Sequence, residues 1–353
     1  MQTRLPIFDG HNDTLLRLYR PRAGMERSFF EASPHGHLDA PRAAAGGFAG
    51  GLFAVFVPPA AAAVTPDPAL PPGTRYSLPL PPPLDPTYAW QTAVRMTALL
   101  FRLEAESAGS MRVCRTVEEI ERCVETGVLA AVLHFEGAEM IDPALDALEV
   151  FYQAGLRSLG PVWSRPNAFG HGVPFAYPQA PDTGPGLTEA GKNLVRACNR
   201  LRIMLDVSHL NEAGFWDVAR LSHAPLVATH SNAYALCASS RNLSDRQLDA
   251  IRDSDGMVGV NFAVSFLRED GSRDPDTPLS TLIRHIDYLV ERVGLERVGF
   301  GSDFDGATIP DAIGDVTGLP RLIAALRAHG YDNVALERLA YRNWLRVLRL
   351  TWG

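Results

Sequence analysis

Short apolar runs alternate with longer amphipathic stretches along most of the chain. The runs are rich in β-branched residues and predict eight strands: Pro6–Asp9, Gly51–Val57, Leu129–Phe135, Arg157–Val162, Ile203–Val207, Leu226–Thr229, Met257–Phe262 and Arg297–Gly301. The stretches between them predict helices at Ala89–Ala105, Val117–Glu125, Glu189–Leu201, Glu212–Leu221, Ser244–Arg252 and Pro278–Val293. Strands that alternate with helices predict an α/β fold with a parallel sheet, and eight of them favour a closed (β/α)8 TIM barrel. Counts of seven or nine strands remain open.

A proline-rich segment interrupts this alternation at about residues 58–86. Proline cannot donate to a central strand, and the segment is too apolar for a free linker. We expect an excursion after the second strand, lying near the mouth of the site or at a subunit contact, with a disordered loop as the alternative. No internal repeat is visible, so we predict one domain over residues 1–353.

Composition and charge restrict the kinds of partner that the protein can bind. The chain has 353 residues, of which 46% are apolar, and a net charge of -7, which disfavours a nucleic-acid partner. No apolar run approaches the roughly 20 residues that span a bilayer, so we expect no membrane contact. The first residues also lack the apolar core of a signal peptide, and we therefore expect a cytoplasmic protein.

Metal-capable side chains follow five of the eight predicted strands. The carboxyl ends of parallel barrel strands meet on one face, where barrel enzymes build their active sites. These side chains should therefore share one rim. They are His11, Asp13, Glu136, His209, His230 and Asp303.

Their chemistry favours a two-metal site. His11 and Asp13 stand at i and i+2, so both side chains can reach one ion from an extended segment. Glu136 follows a buried run, where a carboxylate is costly unless it is paired or binds metal. Three histidines and two carboxylates suit two Zn²⁺ ions with a shared carboxylate, and such a pair can hold a hydroxide and polarise a carbonyl.

Each of these residues also has an ordinary structural interpretation. A single histidine after a strand is usually a core residue, a single glutamate is often salt-bridged, and a single aspartate often caps a turn. We interpret His134 as a core or supporting histidine and Asp305 as a turn residue. Asp303 could accept a proton or bind an ammonium group, and Arg241 could bind a carboxylate through two hydrogen bonds.

Five segments together resemble the membrane (renal) dipeptidase family. They occur in the order FDGHND, FEGAE, DVSH, THSNAYALCASSRN and GSDFDG, and the resemblance covers nearly the whole chain. It implies a two-zinc barrel hydrolase of dipeptides, often with a D-residue at the carboxyl terminus, that forms a homodimer. By this resemblance His11 and Asp13 hold one zinc ion, Glu136 bridges, and His209 and His230 hold the other. Arg241 then binds the free carboxylate of the dipeptide, and Asp303 binds its amine and transfers the proton.

One position departs from the family. Its mammalian members carry a histidine after strand four that polarises the scissile carbonyl, whereas Trp163 stands there in this sequence. Tryptophan donates only its indole N–H. We expect Trp163 to contact the substrate and His171 to replace the missing donor, with Asn167 or Arg165 as alternatives.

Two other functions remain open at this stage. One is a different amidohydrolase-like barrel that acts on N-acyl amino acids or cyclic amides. Such enzymes usually open with His-x-His and often use a modified lysine as the bridge, whereas Lys192, the only lysine, lies in a predicted helix. The other is a metal-binding homologue without activity. Trp163 suggests this alternative, because it stands where mammalian members of the family have the carbonyl-polarising histidine.

Overall fold

Eleven strands are found in the computed structural model, which describes residues 4–60 and 73–353. They are β1 Ile7–Asn12, β2 Phe48–Phe56, β3 Tyr76–Ser77, β4 Met111–Val113, β5 Leu129–Glu136, β6 Leu156–Gly160, β7 Ala176–Tyr177, β8 Met204–Leu205, β9 Val227–Ala228, β10 Met257–Val260 and β11 Val298–Phe300. Nine of them pair in parallel, and eight of these form two curved sheets in the orders β1-β2-β5-β6-β8 and β9-β10-β11. The ninth, β4, pairs with β5 at the side of the first sheet.

Backbone hydrogen bonds beyond the strand ends join the two sheets into a ring. On one side Val207 N donates to Val227 O at 2.9 Å, which links β8 to β9. On the other side Asp303 N donates to His11 O at 3.0 Å, and Asp13 N donates to Phe304 O at 2.8 Å. These last bonds form a seam between β1 and β11. The fold is therefore the (β/α)8 barrel that the sequence predicts.

The eight predicted strands correspond one for one to the eight strands of the ring. The sequence did not predict β4, which has three residues and pairs with the start of β5, or the antiparallel pair β3–β7. β3, β4 and β7 lie outside continuous apolar runs and carry too little periodicity to be recognised, whereas the equally short β8, β9 and β11 lie within longer apolar runs.

Helices follow most barrel strands and cover the outside of the ring. Their bounds are α1 Thr14–Tyr19, α2 Ala40–Gly46, α3 Pro86–Glu106, α4 Val117–Thr126, α5 Asp146–Ala154, α6 Glu189–Leu201, α7 Glu212–Leu221, α8 Asp245–Asp253, α9 Val264–Leu267, α10 Leu279–Val293, α11 Leu319–His329, α12 Asn333–Glu337 and α13 Asn343–Trp352. Short 3₁₀ turns lie at Leu295–Arg297 and Val316–Gly318, and a π-helical turn lies at Arg338–Arg342. No helix in the described ranges is long and apolar enough to cross a membrane.

Local sequence explains where several helices begin. Ser244 N donates to the side chain of Gln247 at 2.9 Å in a capping box at the start of α8. Before α4, the Thr116 hydroxyl accepts a hydrogen bond from Glu119 N at 3.3 Å. The Glu119 carboxylate accepts in return from Arg115 N, one residue before the N-cap. Side-chain caps satisfy amide groups that have no partner within the helix.

The proline-rich segment leaves the end of β2 and returns at the start of α3. Within it, Tyr76–Ser77 pairs with Ala176–Tyr177, beside the loop that follows β6. Residues 61–72 of the segment lie outside the described residues. The described part thus forms an excursion after the second strand.

A small apolar cluster, separate from the main hydrophobic core, fills the barrel beneath the site. Ala130 and Val132 of β5 belong to it, and the alternation of a strand places His134 and Glu136 on the same face, nearer the rim. Trp344 of α13 is fully buried in this cluster and donates its indole N–H to Phe300 O at 3.0 Å. A Cβ atom at Gly10 would lie 2.3 Å from the Trp344 ring, so β1 needs glycine there.

We expect Trp344→Ala to lower the free energy of unfolding by about 3–5 kcal/mol, the usual cost of removing a buried tryptophan. Chemical denaturation of the two proteins measures the difference. Val334→Ala serves as the control, because Val334 is 64% exposed and its truncation should change stability by less than about 0.5 kcal/mol. Equal effects of the two substitutions would contradict the role of Trp344 in supporting the barrel.

Candidate functional site

Glu136, the last residue of β5, lies at the centre of a buried polar cluster. Its Oε1 atom is 2.9 Å from His209 Nε2, 3.6 Å from His230 Nε2 and 3.8 Å from His11 Nε2. The two imidazoles that follow β8 and β9 are also close to each other, with 3.0 Å between their Nε2 atoms. The structure therefore brings together residues from four strand ends that are far apart in sequence.

Asp13 and Asp303 complete this cluster on the side of the seam. Asp13 Oδ2 lies 3.5 Å from His11 Nε2, and ligand atoms of His11, Asp13 and Asp303 all lie within 4.8 Å of one another. Both ring nitrogens of His11 and Oδ1 of Asp13 are buried, and none has a hydrogen-bond partner in the described chain. Buried polar atoms are nearly always paired, so these atoms are suited to a ligand such as a metal ion.

Hydrogen bonds to the far side of each ring orient the other two histidines. His209 Nδ1 is 2.9 Å from Ser164 Oγ, and His230 Nδ1 is 2.8 Å from Thr229 Oγ1. The Thr229 hydroxyl in turn donates to Asp206 Oδ2 at 2.6 Å. Both rings therefore direct Nε2 towards Glu136, as metal-binding histidines do when their other nitrogen is hydrogen-bonded.

His134 occupies a deeper position on β5. Its Nδ1 atom is 2.8 Å from Ser158 Oγ, and its Nε2 atom is 3.6 Å from Asp206 Oδ2. His11, His134 and Asp206 form a further group with metal-binding geometry. Both Asp206 oxygens already accept hydrogen bonds from Ser208 or Thr229, so this aspartate is better suited to supporting the site.

Burial controls protonation in the cluster. Loss of solvation, together with the charge of Asp13, raises the pKa of Glu136 well above its usual value. Burial lowers the pKa of His209 and His230 well below the usual value, so both imidazoles are neutral at pH 7. Burial alone would lower the pKa of His11, but the charges of Glu136 and Asp13 outweigh it and raise this pKa to about 10. Divalent metal binding requires neutral imidazoles and ionised carboxylates, so His11 and Glu136 would release their protons when metal binds.

Asp303 lies at the end of β11, where its backbone has a positive φ of 59°. Its Oδ2 atom accepts from Asn261 Nδ2 at 3.0 Å, and burial raises its pKa to about 6. A carboxyl group with this pKa can take up and release a proton near neutrality. Asp305, two residues on, lies outside the metal cluster and binds Arg27 and His37 N, which supports the structural interpretation.

Arg241 is fully buried beside the two histidines. Its Nη2 atom donates to His230 O at 3.2 Å and lies 3.3 Å from His209 Nε2, while Nη1 donates to Ser208 O. Burial lowers the pKa of Arg241 to about 10, so the guanidinium still carries a charge at neutral pH. Its Nε–H has no protein acceptor within the described residues.

A cavity of about 470 Å³ opens onto this cluster. Asp13, Glu136, His209, Arg241 and Asp303 line its floor. Four aromatic residues, Phe56, Trp163, Phe175 and Phe266, form part of its wall. The Trp163 ring centroid lies 4.9 Å from that of Phe56 and 5.9 Å from that of His209, so this side chain walls the cavity next to the cluster.

The residues that could replace the family's carbonyl-polarising histidine do not line this cavity. The described residues that line the cavity do not include His171, which is half-buried and whose Nδ1 atom has no partner in the described chain. Arg165 forms a buried ion pair with Glu139 at 2.7 Å, and Asn167 donates to Pro161 O. A carbonyl-polarising role for His171 stays a prediction.

Sequence reasoning missed two residues at this site. Asn261 directly follows β10, so a complete survey of the strand ends would have found it. Arg273 also lines the cavity, but it comes from the loop between α9 and α10, which carries no recognisable motif.

The donor set fits divalent metals. Three imidazoles and two carboxylates come together here, several of their buried atoms have no partner among the described residues, and such a donor set is the usual ligand chemistry of Zn²⁺ and similar ions. Together with the barrel, this arrangement defines a class of protein: a metal-dependent hydrolase that acts at the carboxyl ends of barrel strands.

Comparison with known proteins identifies the family. The model of the membrane dipeptidase family, peptidase family M19, matches residues 1–351, and the chain belongs to this family. A metallo peptidase from Rhodobacter sphaeroides, solved with a phosphinate mimic of the dipeptide L-Ala-D-Ala, is 55% identical, with a TM-score of 0.95 and 99% of each chain covered. The solved dipeptidase AC gives the same identity, TM-score and coverage. An uncharacterized Klebsiella pneumoniae protein in the pqqA 5′ region is 57% identical over 255 residues, which are 72% of this chain and 94% of that protein.

The structure also separates this chain from barrels that use a modified lysine. Lys192 lies on α6 and pairs with Glu189 at 2.6 Å, and it is not among the residues that line the cavity. Glu136 occupies the centre of the cluster instead. The fold, the site and the family together support a metallo-dipeptidase.

We expect Thr229→Val to weaken metal binding about 10- to 100-fold, because His230 loses the hydrogen bond that orients its ring. Competition with a chelator measures the affinity. Thr351→Val is a matched control, since Thr351 is buried in α13 and bonds only Val347 O among the described residues. Unchanged affinity in Thr229→Val would show that other contacts orient His230.

Proposed function

We propose that the chain is a binuclear zinc dipeptidase. The observation that carries this proposal is the position of Glu136 Oε1 within 4 Å of three imidazoles. In this proposal His11 and Asp13 hold one ion, His209 and His230 hold the other, and Glu136 binds both. Two such ions would polarise the scissile carbonyl and lower the pKa of the attacking water.

The side chains of the protein then bind the substrate and move the proton. Asp303 Oδ1 accepts the proton of the water and delivers it to the nitrogen of the leaving residue. Asn261 holds the other oxygen, Oδ2, and so fixes the orientation of the carboxylate. In the bound state Asp303 also binds the free ammonium group at the amino end of the dipeptide.

Arg241 gives the site its second anchor. Its guanidinium lies on the cavity floor and would bind the free carboxylate at the other end of the substrate. Anchors for both termini favour a substrate of two residues over a longer peptide. The relative solved with a mimic of L-Ala-D-Ala supports the inclusion of L-Xaa-D-Xaa dipeptides.

The remaining predictions rest on the sequence or on the resemblance to the family. We assign Trp163 to the cavity wall and to contact with the substrate. A single domain over residues 1–353, a homodimer and a cytoplasmic location stay predictions. The metal-binding homologue without activity shares the zinc site, so a turnover assay separates it from the enzyme.

The first experiment measures metal content and turnover together. We expect the purified protein, loaded with Zn²⁺, to bind close to two equivalents and to hydrolyse L-Ala-D-Ala. Glu136→Gln should lose affinity for both ions and nearly all turnover, because a neutral amide is a poor ligand for two cations. Glu189→Gln is the control, since this side chain is 82% exposed on α6. Full zinc occupancy and activity in Glu136→Gln would overturn the shared role of Glu136, and a wild-type protein that binds zinc but cleaves no dipeptide would overturn the function.

Arg241→Lys tests the carboxylate anchor. Lysine keeps the charge but loses the planar pair of donors, so we expect kcat/KM on dipeptides to fall at least tenfold. A C-terminally amidated dipeptide lacks the carboxylate and should lose much less. Arg246→Lys, at an exposed position of α8, controls for the substitution itself. An equal loss on both substrates would assign Arg241 to the support of the histidines instead.

A further inference from the structure

The two proposed anchors of the dipeptide come from different loops of the barrel. Arg241 lies in the loop between β9 and α8, and Asp303 lies in the loop after β11. A substrate can engage both anchors in the transition state only if their separation is fixed, because a misplacement of about 1 Å can cost much of the rate. Asn232, two residues after His230, is fully buried and is hydrogen-bonded towards both loops.

The side chain of Asn232 holds the residue that orients Asp303. Its Nδ2 atom donates to Asn261 O at 2.9 Å, and its Oδ1 atom accepts from Asn261 N at 3.1 Å. The amide thus binds both backbone groups of one residue, as a neighbouring strand would, and continues the pairing of β9 with β10 beyond their ends. Asn261 in turn donates from its side chain to Asp303 Oδ2 at 3.0 Å.

The backbone of Asn232 binds the other loop. Its carbonyl oxygen accepts from Leu243 N at 2.8 Å, two residues after Arg241. A second connection runs through Phe266 O, which accepts from Asn242 Nδ2 at 2.9 Å and from Asn232 Nδ2 at 3.4 Å. The ring of Phe266 lies in the cavity wall, with its centroid 5.5 Å from the guanidinium carbon of Arg241.

Burial makes these bonds hard to replace. Asn232 and Asn261 are both fully buried, and both polar atoms of the Asn232 amide have partners. A fully paired buried network holds its members in one arrangement. Loss of the amide would leave the N–H and C=O groups of Asn261 without these partners, and Asp303 would then shift relative to Arg241.

We propose that Asn232 is a positioning residue that fixes the amine anchor and the carboxylate anchor relative to each other. It acts on Asp303 through Asn261 and on the loop of Arg241 through its own backbone and Phe266. This inference rests on the proposed dipeptidase activity and adds the residue that lets both ends of one dipeptide bind at once.

The test uses L-Ala-D-Ala, its N-acetyl form and its C-terminal amide. The ratio of kcat/KM between the free dipeptide and each blocked form measures what one anchor contributes. Asn232→Leu keeps most of the side-chain volume but removes the amide, and we expect both ratios to fall about tenfold because the anchors no longer engage together. A ratio does not depend on the fraction of folded enzyme, so a general loss of stability would leave both ratios unchanged.

Asn343→Leu is the matched control. Asn343 is also buried, and its Nδ2 atom donates to Leu295 O and Val298 O at 2.7 Å each, but it is not among the residues that line the cavity. This variant should be less stable than the wild type and keep both ratios. Should Asn232→Leu fail to fold, Asn232→Ser adds no bulk, retains one hydroxyl and should lower both ratios in the same direction.

Two results would overturn the inference. A fall in one ratio alone would assign Asn232 to one anchor, and an equal loss on all three substrates would reduce its role to support of the fold. In both cases cleavage of L-Ala-D-Ala by the wild-type enzyme shows that the proposed function itself stands. A wild-type enzyme that binds zinc but does not cleave this dipeptide would overturn the proposed function, and this inference with it.

Discussion

The site depends on one carboxylate, that of Glu136, which is buried among three imidazoles. Burial disfavours the charge of Glu136, and the nearby Asp13 disfavours it further. A buried carboxylate is tolerated when it is protonated, paired or bound to metal. His209 and His230 are neutral and cannot pair with it as cations. At His11 the effect of burial is outweighed by the charges of Glu136 and Asp13, which raise its pKa to about 10. A divalent metal that displaces the proton of His11 would suit the whole group. The supporting hydroxyls of Ser164 and Thr229 are arranged for that state, since they leave each Nε2 atom directed at the carboxylate.

The barrel supplies this arrangement through the geometry of its strand ends. Glu136 ends β5, and the alternation along that strand places it above Val132 and the small cluster that contains Trp344. The apolar support below the site is therefore continuous with the polar cluster above it. A change in packing beneath the site would shift the strand ends and, with them, the distances between ligands.

Sequence alone could predict the ring of strands and the centre of the site because both have a local signature. The apolar run Leu129–Phe135, followed directly by Glu136, predicts a strand with a carboxylate at its end without any tertiary information. The signature fails where a residue acts through distant contacts. Asp206 supports His230 through Thr229 and Ser208. Arg273 lines the cavity from a loop whose Gly271 lies against Tyr177, an approach between loops that are far apart in sequence. His171 illustrates the same limit in the opposite way. It lies close to Trp163 in sequence, but closeness in sequence does not tell whether a side chain lines the cavity.

The seam between β1 and β11 has a consequence for how the protein folds. Besides the backbone bonds at His11 and Asp13, Ser302 donates from its N–H and its hydroxyl to the buried carboxylate of Asp9, at 2.7 Å each, across 293 positions of the chain. Contacts of such long sequence separation form slowly, because much chain entropy is lost before they stabilise anything. Asp303 therefore reaches His11 and Asp13 only when β1 and β11 meet, which makes completion of the site a late event. Metal held by Glu136, His209 and His230 would join the two sheets at β8 and β9, and interactions that form late in folding mainly slow unfolding and do little to speed folding.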